Sequence, residues 1–258
     1  MLKKYFYIKF FALFGLFIFS SINIYSYSFN QNTINDLYNF KTTLYLANTD
    51  FDYKTYIEDF YSSQKQKNLS EQEKYTVYSE ILIQKLNFIQ DKQVKKETIL
   101  EMFELQSQIK DFLTEEKDLS EYLLTTYADL ESRLISNMSG GEMYKMSMES
   151  KRMYLKAISI NKKFAPAYCG YGNWLYFAPS VAGGGYNAAL KQFTKAIKNS
   201  TKDFDLFINY IYQSQVYLKL GNKNLCEKSM EKAEKIFPEN NLTKLIRIKN
   251  EKGKCFFD

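Results

Sequence analysis

The sequence contains no histidine, and this absence removes most of the common catalytic combinations of side chains. Histidine is the usual general base, the partner of serine and cysteine nucleophiles, and the commonest zinc ligand. Carboxylates are frequent, but no pair of them stands out as an acid–base couple. We therefore expect a protein that is not an enzyme and that has no cofactor and no metal site.

Glycine, proline and cysteine are also scarce, at ten, three and three residues of 258, whereas tyrosine and phenylalanine reach 22 and 21. Strand-like alternation is not sustained anywhere, and apolar residues recur at helical spacing. This distribution predicts an all-α fold of long helices joined by short turns. The odd cysteine count leaves at least one thiol outside any intrachain disulfide; Cys169 and Cys226 are either bridged or simply small core residues.

The charge balance is weakly positive, at +6 for the whole chain. Lysines alternate with glutamates, as in Glu231-Lys232 and Glu234-Lys235, which is typical of solvated helix surface. A nucleic-acid-binding protein would instead cluster its basic residues on one face. We expect no nucleic-acid partner.

The N-terminus has the pattern of a secretory signal peptide. Residues 3–9 carry three lysines, an apolar run extends from Phe10 to Phe19, and small residues follow at Ser26 and Ser28. A stable membrane span needs about 20 apolar residues, so this run is short for one. We predict a signal peptide over residues 1–28 and an exported protein, with the periplasm as its location. The alternative is retention of the segment as an uncleaved anchor, the only case in which we expect contact with a membrane.

Three amphipathic helices of the C-terminal part carry an alanine at matching places, Ala157, Ala196 and Ala233, with steps of 39 and 37 residues. Such a period predicts a solenoid, in which each helical hairpin buries its apolar face only against its neighbours. The last two units resemble tetratricopeptide (TPR) repeats, with small residues at the helix contacts, an aromatic residue between them and a closing proline. The structural TPR positions are Ala157, Ala189, Phe193, Ala196, Tyr217, Ala233 and Pro238.

We therefore predict that residues 29–258 form a single helical-repeat domain, an all-α stack of antiparallel hairpins resembling a TPR solenoid. Its length is sufficient for a sizeable core. Irregular helical hairpins occupy residues 29–118, TPR-like repeats occupy 119–240, and a capping helix with a tail occupies 241–258.

Local signals predict where individual helices begin and end. Ser70 and Glu73 have the spacing of a capping box, in which each side chain binds a backbone amide of the other residue. Asp118 with Glu121 predicts another helix start, and Ser139-Gly140-Gly141 predicts the end of that helix.

The hairpin from Phe164 to Ser200 departs from a plain repeat, because its turn, Phe177 to Gly185, is about five residues longer than a standard TPR turn. A first helix rich in tyrosine and glycine, a Pro-plus-Gly turn and an Ala-x3-Phe-x2-Ala helix resemble the TatT family. These are periplasmic TPR proteins associated with TRAP-type transporters, and the resemblance covers about residues 150–240. It implies pairing with a solute-binding protein and a pore or groove for an apolar ligand. Known TatT-like proteins are lipoproteins, and this chain lacks the required cysteine after its apolar run.

Three consecutive glycines, Gly183, Gly184 and Gly185, precede the second helix of this hairpin. One interpretation is that their amides bind an anion at the helix N-terminus. A nucleotide-binding glycine loop would follow a strand, and the P-loop form would contain Gly-Lys-Ser/Thr; this loop has neither feature. The favoured interpretation is that the glycines supply positive φ angles in a wide turn.

The first helix of each TPR hairpin lines the concave groove, so polar and aromatic residues on these helices are candidates for contact with a ligand or partner. We predict this role for Asn173, Trp174, Tyr210 and Gln213. The alternative is that Trp174 and the nearby tyrosines fill the space that Gly170 and Gly172 leave open.

Together these patterns predict an exported TPR-like scaffold that binds a partner protein or peptide. The sharper version is an accessory to a periplasmic solute-binding and transport system, with the solute-binding protein as partner. One alternative is a carrier of a small apolar ligand in the solenoid groove. A weaker alternative is a structural envelope protein tethered to the membrane through its N-terminal segment.

Overall fold

A computed structural model describes residues 27–257, so the signal peptide predicted over residues 1–28 lies almost wholly outside the described residues. The described part contains eleven α-helices, two short 3-10 helices and no strand, which confirms the predicted all-α class. None of its helices combines the length and apolarity that a membrane crossing requires. In chain order the α-helices are α1 (Gln31–Leu46), α2 (Tyr53–Lys65), α3 (Glu71–Phe88), α4 (Lys92–Glu115), α5 (Glu121–Leu134), α6 (Gly140–Ile160), α7 (Ala165–Phe177), α8 (Tyr186–Asn199), α9 (Asp203–Lys219), α10 (Lys223–Ile236) and α11 (Asn241–Glu251).

Helices that are consecutive in the chain pack against each other as hairpins. The pairs α5–α6, α7–α8 and α9–α10 make the most extensive contacts, and each pair packs on the next through α6–α7 and α8–α9. This is the TPR-like stacking that the repeat period predicts, since every hairpin buries its apolar face against a neighbour.

Most of the structural TPR positions lie where two helices meet. Ala157, Ala189, Phe193, Ala196 and Ala233 are all 0% exposed, whereas Tyr217 is half-buried and Pro238 is exposed. A Cβ atom on Gly172 would lie 2.7 Å from the ring of Phe193. Glycine on α7 therefore lets Phe193 of α8 fill the space between the two helices.

Replacing Ala196 or Ala233 by leucine should lower the free energy of unfolding by about 1–3 kcal/mol in each case, because extra methyl and methylene groups overpack a filled contact. Thermal or urea unfolding of the purified variants measures this loss. Lys198→Leu adds an apolar side chain at an exposed position of α8 and should leave the stability nearly unchanged. Unchanged midpoints for both alanine variants would contradict the TPR register.

The capping box predicted at the start of α3 is confirmed, and its glutamate also forms hydrogen bonds with residues at the start of α1. The backbone N–H of Ser70 donates to Glu73 Oε2 (3.0 Å), and Ser70 Oγ accepts from the backbone N–H of Glu73 (3.3 Å). The other carboxylate oxygen of Glu73 accepts from the Asn30 backbone N–H (3.0 Å) and from Thr33 Oγ1 (3.2 Å). One glutamate thus caps α3 and holds the start of α1.

Two other predicted helix ends differ from the structure. Ser120 rather than Asp118 caps α5, because its hydroxyl lies within reach of the first amides of the helix. The helix ends at Leu134 in a 3-10 turn, well before Ser139. Gly140 and Gly141 lie in the first turn of α6 instead of ending α5.

The N-terminal helix closes the inner layer of the stack, which the sequence did not predict. Helix α1 packs against α3 on one side and against α9 and α11 on the other. Since α3 contacts α5, α5 contacts α7 and α7 contacts α9, the helices α1, α3, α5, α7 and α9 form a closed helix ring, which is the inner layer. Their hairpin partners α6, α8 and α10 form the outer layer. The predicted helix after Pro238 is α11, which packs on α10 and also on α1, where Asn241 Nδ2 donates to the Ala47 carbonyl (3.3 Å).

The wide turn between α7 and α8 is built on its glycines. Gly183 and Gly185 have φ angles of +87° and +127°, and a Cβ atom on Gly184 would lie 2.0 Å from the carbonyl oxygen of Ala178. The amides of the three glycines donate to backbone carbonyls, namely those of Ser180, Pro179 and Leu175. They are therefore engaged within the turn, which favours the structural interpretation over anion binding.

Cys169 and Cys226 are not joined by a disulfide. Cys169 lies on α7, in the helix ring, and Cys226 lies on α10 of the outer layer, with its sulfur 3.9 Å from Asn250 Nδ2 of α11. The two thiols belong to different layers, which explains why the bridge does not form.

Candidate functional site

Charged and polar side chains from all five helices of the helix ring meet near its centre. Lys41 of α1 interacts electrostatically with Asp129 of α5, and Tyr212 of α9 interacts with Arg133 of α5. Helix α5 is adjacent in the ring to neither α1 nor α9, so these interactions run across its centre. We call this group the central cluster; it consists of Lys41, Tyr45, Glu80, Asp129, Arg133, Cys169, Asp205 and Tyr212.

Contacts of Lys41 and Tyr38 close the helix ring at α1. Lys41 Nζ lies 3.9 Å from Glu80 Oε2 of α3, and Tyr38 donates a hydrogen bond to Asp205 Oδ2 of α9 (2.6 Å). The ammonium group also lies over the aromatic rings of Tyr38 and Phe204, 5.1 and 5.6 Å from their centroids. Burial lowers the pKa of Lys41, but the carboxylates of Glu80 and Asp205 outweigh it and leave that pKa raised, so the ammonium stays charged.

A second carboxylate of the central cluster is held by a tyrosine from the outer layer. Tyr154 of α6 donates to Asp129 Oδ1 (2.6 Å). A Cβ atom on Gly170 would lie only 2.3 Å from the ring of Tyr154, so glycine at this position of α7 lets the tyrosine reach Asp129. Burial raises the pKa of Asp129 to about 6, although the Tyr154 hydrogen bond and the charge of Arg133 oppose the rise.

Several polar groups at the centre lack partners among residues 27–257. The side-chain oxygens of Asn173 and Asn209 are buried and accept no hydrogen bond. Arg133 is exposed and forms no ion pair within the described chain. The side chains of Tyr45 and Tyr212 are half-buried, and their hydroxyl groups have no hydrogen-bond partner in this part of the protein. Buried polar groups are nearly always paired, so the two buried asparagine oxygens, with the solvent-accessible donors Arg133, Tyr45 and Tyr212, mark a candidate ligand site.

The four residues predicted to contact a ligand or partner fall in different places. Asn173 lies one turn after Cys169 on the same face of α7 and thus on the side of the helix ring's centre. Trp174 is buried against α6, where its indole N–H donates to the Ser147 carbonyl (2.8 Å). Trp174 therefore packs between α7 and α6. The space beside Gly170 and Gly172, which the packing alternative assigned to Trp174 and the nearby tyrosines, is occupied by Tyr154 and Phe193.

Tyr210 and Gln213 face the outer layer rather than the central cluster. Tyr210 is half-buried, and Lys232 Nζ of α10 lies 5.3 Å from its ring centroid. Gln213 donates to Thr194 Oγ1 of α8 (3.3 Å) and accepts from Ser229 Oγ of α10 (3.1 Å). Of the four, the structure brings Asn173 alone to the candidate ligand site.

Sequence reasoning missed the charged members of the central cluster. Asp129 lies between Ala128 and Leu130, both 0% exposed, so a charge next to the buried face of an amphipathic helix was the one available signal. That signal does not indicate which residues of distant helices it meets. No three cysteine, aspartate or glutamate side chains of residues 27–257 converge in a way that could hold a metal ion.

The wide turn presents a second feature, a set of exposed apolar side chains. Val181 is 96% exposed, Phe177 65% and Tyr186 38%; we call these three residues the turn patch. An open cleft of about 490 Å³ lies beside it, lined in part by Tyr171 and Lys191. Exposed apolar side chains that lie together on a surface mark candidate sites of protein interaction.

Comparison with known proteins adds little to this description. No protein-family model and no curated protein matches the sequence. Among solved structures, the chain is similar to one in the crystal structure of the APC/C hetero-tetramer Cut9–Hcn1, with 13% identity and a TM-score of 0.43. The alignment covers 90% of this chain and 44% of that one, so the chain spans less than half of its length. At this TM-score the likeness carries no argument, and the TPR-like fold rests on the helix contacts above.

Proposed function

We propose that the protein is an exported scaffold that binds a partner protein through the turn patch. The observation that carries this proposal is the exposure of Val181 and Phe177 on a turn that backbone hydrogen bonds and three glycines hold in one conformation. Apolar and aromatic anchors presented in a fixed geometry provide most of the binding energy in protein interfaces. No ordering of the turn is then required when the partner binds.

The closed helix ring supports an outer rather than an inner binding surface. In an open solenoid a partner peptide lies along the concave face of the inner helices. Here α1 occupies that face and is held there by Lys41–Glu80 and Tyr38–Asp205. A peptide would have to displace α1 and break these contacts, so the outer turn is the more accessible surface.

The finer proposal is that the partner is a periplasmic solute-binding protein and that this chain is an accessory of its transport system. The wide turn lies in the part of the chain that resembles the TatT family, and export rests on the pattern of residues 1–28. Both of these observations come from the sequence. If the N-terminal segment is retained, the same scaffold would be tethered to the membrane.

A photo-crosslinking amino acid at Val181 tests the proposal in native cells. Irradiation should attach the chain to one partner protein of the envelope fraction, which mass spectrometry identifies as a solute-binding protein in the finer version. Leu100 of α4 is 62% exposed and lies far along the chain from the turn, so it is the matched control. Absence of an adduct at 181, or the same adducts at both positions, would contradict binding through the turn patch.

A second candidate function, a carrier of a small ligand, is favoured by the unpartnered groups inside the helix ring. The side chains there are polar or charged, with Lys41, Arg133, Asp129 and Asn173 among them. An apolar ligand would leave the Arg133 guanidinium, Asp129 Oδ2 and the Asn173 side-chain oxygen without partners, at a cost of about 1–3 kcal/mol for each group removed from water. The lining therefore supports a polar ligand rather than the apolar one that the TatT resemblance implies.

A further inference from the structure

The unpartnered donors of the central cluster are suited to an anionic group. Arg133 lies one helical turn after Asp129 on the same face of α5, is exposed and forms no ion pair among residues 27–257. Its charge also acts on the hydroxyls of Tyr45 and Tyr212. Neither hydroxyl has a hydrogen-bond partner in the described chain. A guanidinium binds a carboxylate with two parallel hydrogen bonds, and tyrosine hydroxyls can add further ones.

The unpartnered acceptors of the same site are suited to a cationic group. Asp129 uses Oδ1 for the Tyr154 hydroxyl, and its Oδ2 accepts no hydrogen bond from residues 27–257. The buried side-chain oxygens of Asn173 and Asn209 also lack donors there, and Asn209 is 0% exposed. An ammonium group has three N–H donors and no acceptor, which matches this set of oxygens.

The protein's own Lys41 shows that the helix ring accommodates an ammonium group. Its Nζ lies beside Glu80 and over the aromatic rings of Tyr38 and Phe204. Carboxylate and aromatic faces together stabilise an ammonium that is partly removed from water. Asp205 accepts a hydrogen bond from Tyr38. The two other charged groups of the cluster, Asp129 and Arg133, carry one charge of each sign.

We propose that the centre of the helix ring binds a free amino acid, with its carboxylate at Arg133 and the two tyrosine hydroxyls and its ammonium group at Asp129 and Asn173. A zwitterion of this size satisfies both sets of unpartnered groups without changing the net charge of the site. The side chains of Tyr45, Asp129, Cys169 and Tyr212 are half-buried, so the site retains contact with solvent. This proposal rests on the second candidate function, the carrier of a small polar ligand, and is independent of partner binding at the turn patch.

Equilibrium dialysis of the purified protein against an equimolar mixture of the twenty protein amino acids tests the proposal. Amino-acid analysis should show one or a few of them retained at up to one molecule per chain, and calorimetry then gives the Kd of each. If none is retained above the level of an unrelated helical protein, the proposal is overturned.

Two variants and one control locate the binding. Arg133→Gln removes the guanidinium, and Asp129→Asn removes a charge while keeping an oxygen for the Tyr154 hydrogen bond; each should weaken binding at least about tenfold. Arg152→Gln changes a surface arginine that pairs with Glu149 and should leave the Kd unchanged. Circular dichroism confirms that the variants are folded. Affinity that neither Arg133→Gln nor Asp129→Asn changes would overturn the assignment to the central cluster.

Analogues of the retained amino acid test its two charged groups separately. The corresponding amine without a carboxylate, and the corresponding acid without an amine, should each bind at least about tenfold more weakly than the amino acid. An acid that binds as tightly as the amino acid would show an anion site, and an equally tight amine would show a cation site. Either result would overturn the zwitterion proposal.

Discussion

Replacing Trp174 by alanine should lower the free energy of unfolding by about 3–5 kcal/mol, because a large buried aromatic residue is lost and a cavity remains. The indole is 7% exposed, and its N–H donates to both the carbonyl (2.8 Å) and the hydroxyl (3.1 Å) of Ser147. It thereby joins α7 to α6 at the centre of the TPR-like part. Urea unfolding followed by circular dichroism measures the loss.

Trp174→Phe is the matched control, because it keeps an aromatic ring in the space and removes only the hydrogen bonds. We expect it to lose clearly less stability than the alanine variant. The double variant Trp174→Ala with Tyr210→Ala should then unfold rather than remain folded without its partner. If this double variant stays folded and stable, the packing role of Trp174 is contradicted and its predicted role in partner contact gains support.

The stability of the protein should fall by roughly 2–3 kcal/mol between pH 5 and pH 8 because of Glu131. This residue of α5 is 2% exposed, and burial raises its pKa from 4.5 to about 7, although hydrogen bonds from Gln106 and Tyr127 oppose the rise. Of the nearby charges, Glu149 raises the pKa and Lys110 lowers it. Its second carboxylate oxygen, Oε2, is buried and accepts no hydrogen bond from the described chain.

The direction in which stability changes with pH follows from proton binding. Near pH 6 the unfolded chain has released the proton of Glu131 while the folded protein still holds it, so rising pH favours unfolding. This contribution to stability is complete below pH 4.5 and is lost as the pH rises through about 7. Asp129, with a pKa raised from 3.8 to about 6, contributes in the same direction.

Urea unfolding at pH 5 and pH 8 measures this dependence, and Glu131→Gln should flatten it. Glu149→Gln is the control: it removes a half-buried carboxylate on α6 that pairs with Arg152, and most of the pH dependence should remain. Equal slopes for the wild type and Glu131→Gln would show that Glu131 is not the source.

The local features of the fold were predictable because they depend on neighbours in the sequence. The capping box of Ser70 and Glu73 is a three-residue interval, and its two hydrogen bonds form as expected. The alanines at Ala157, Ala196 and Ala233 recur with the repeat and all lie fully buried. The helix between Asn241 and Ile248 also follows from local signals and is present as part of α11.

Helix ends were less predictable where two signals compete. Ser120 lies two residues after Asp118, and both residue types cap helices well. The structure gives the cap to Ser120, while Asp118 instead accepts from the backbone N–H of Tyr27 (3.1 Å). The two residues are 91 positions apart in the chain, so no pattern of neighbouring residues could predict this hydrogen bond.

The sequence by itself determined the class of the protein: all-α, repeating, without histidine, and with small residues where helices must approach closely. It did so because helical periodicity and repeat period are properties of short intervals. Only the tertiary structure decided that α1 closes the helix ring and that Lys41, Glu80, Asp129 and Asp205 meet at its centre. Apart from Asp129, which borders a buried helix face, these charges have the sequence pattern of ordinary helix surface. The physical reason is that a charge acts through distance in space, and packing, not spacing along the chain, sets that distance.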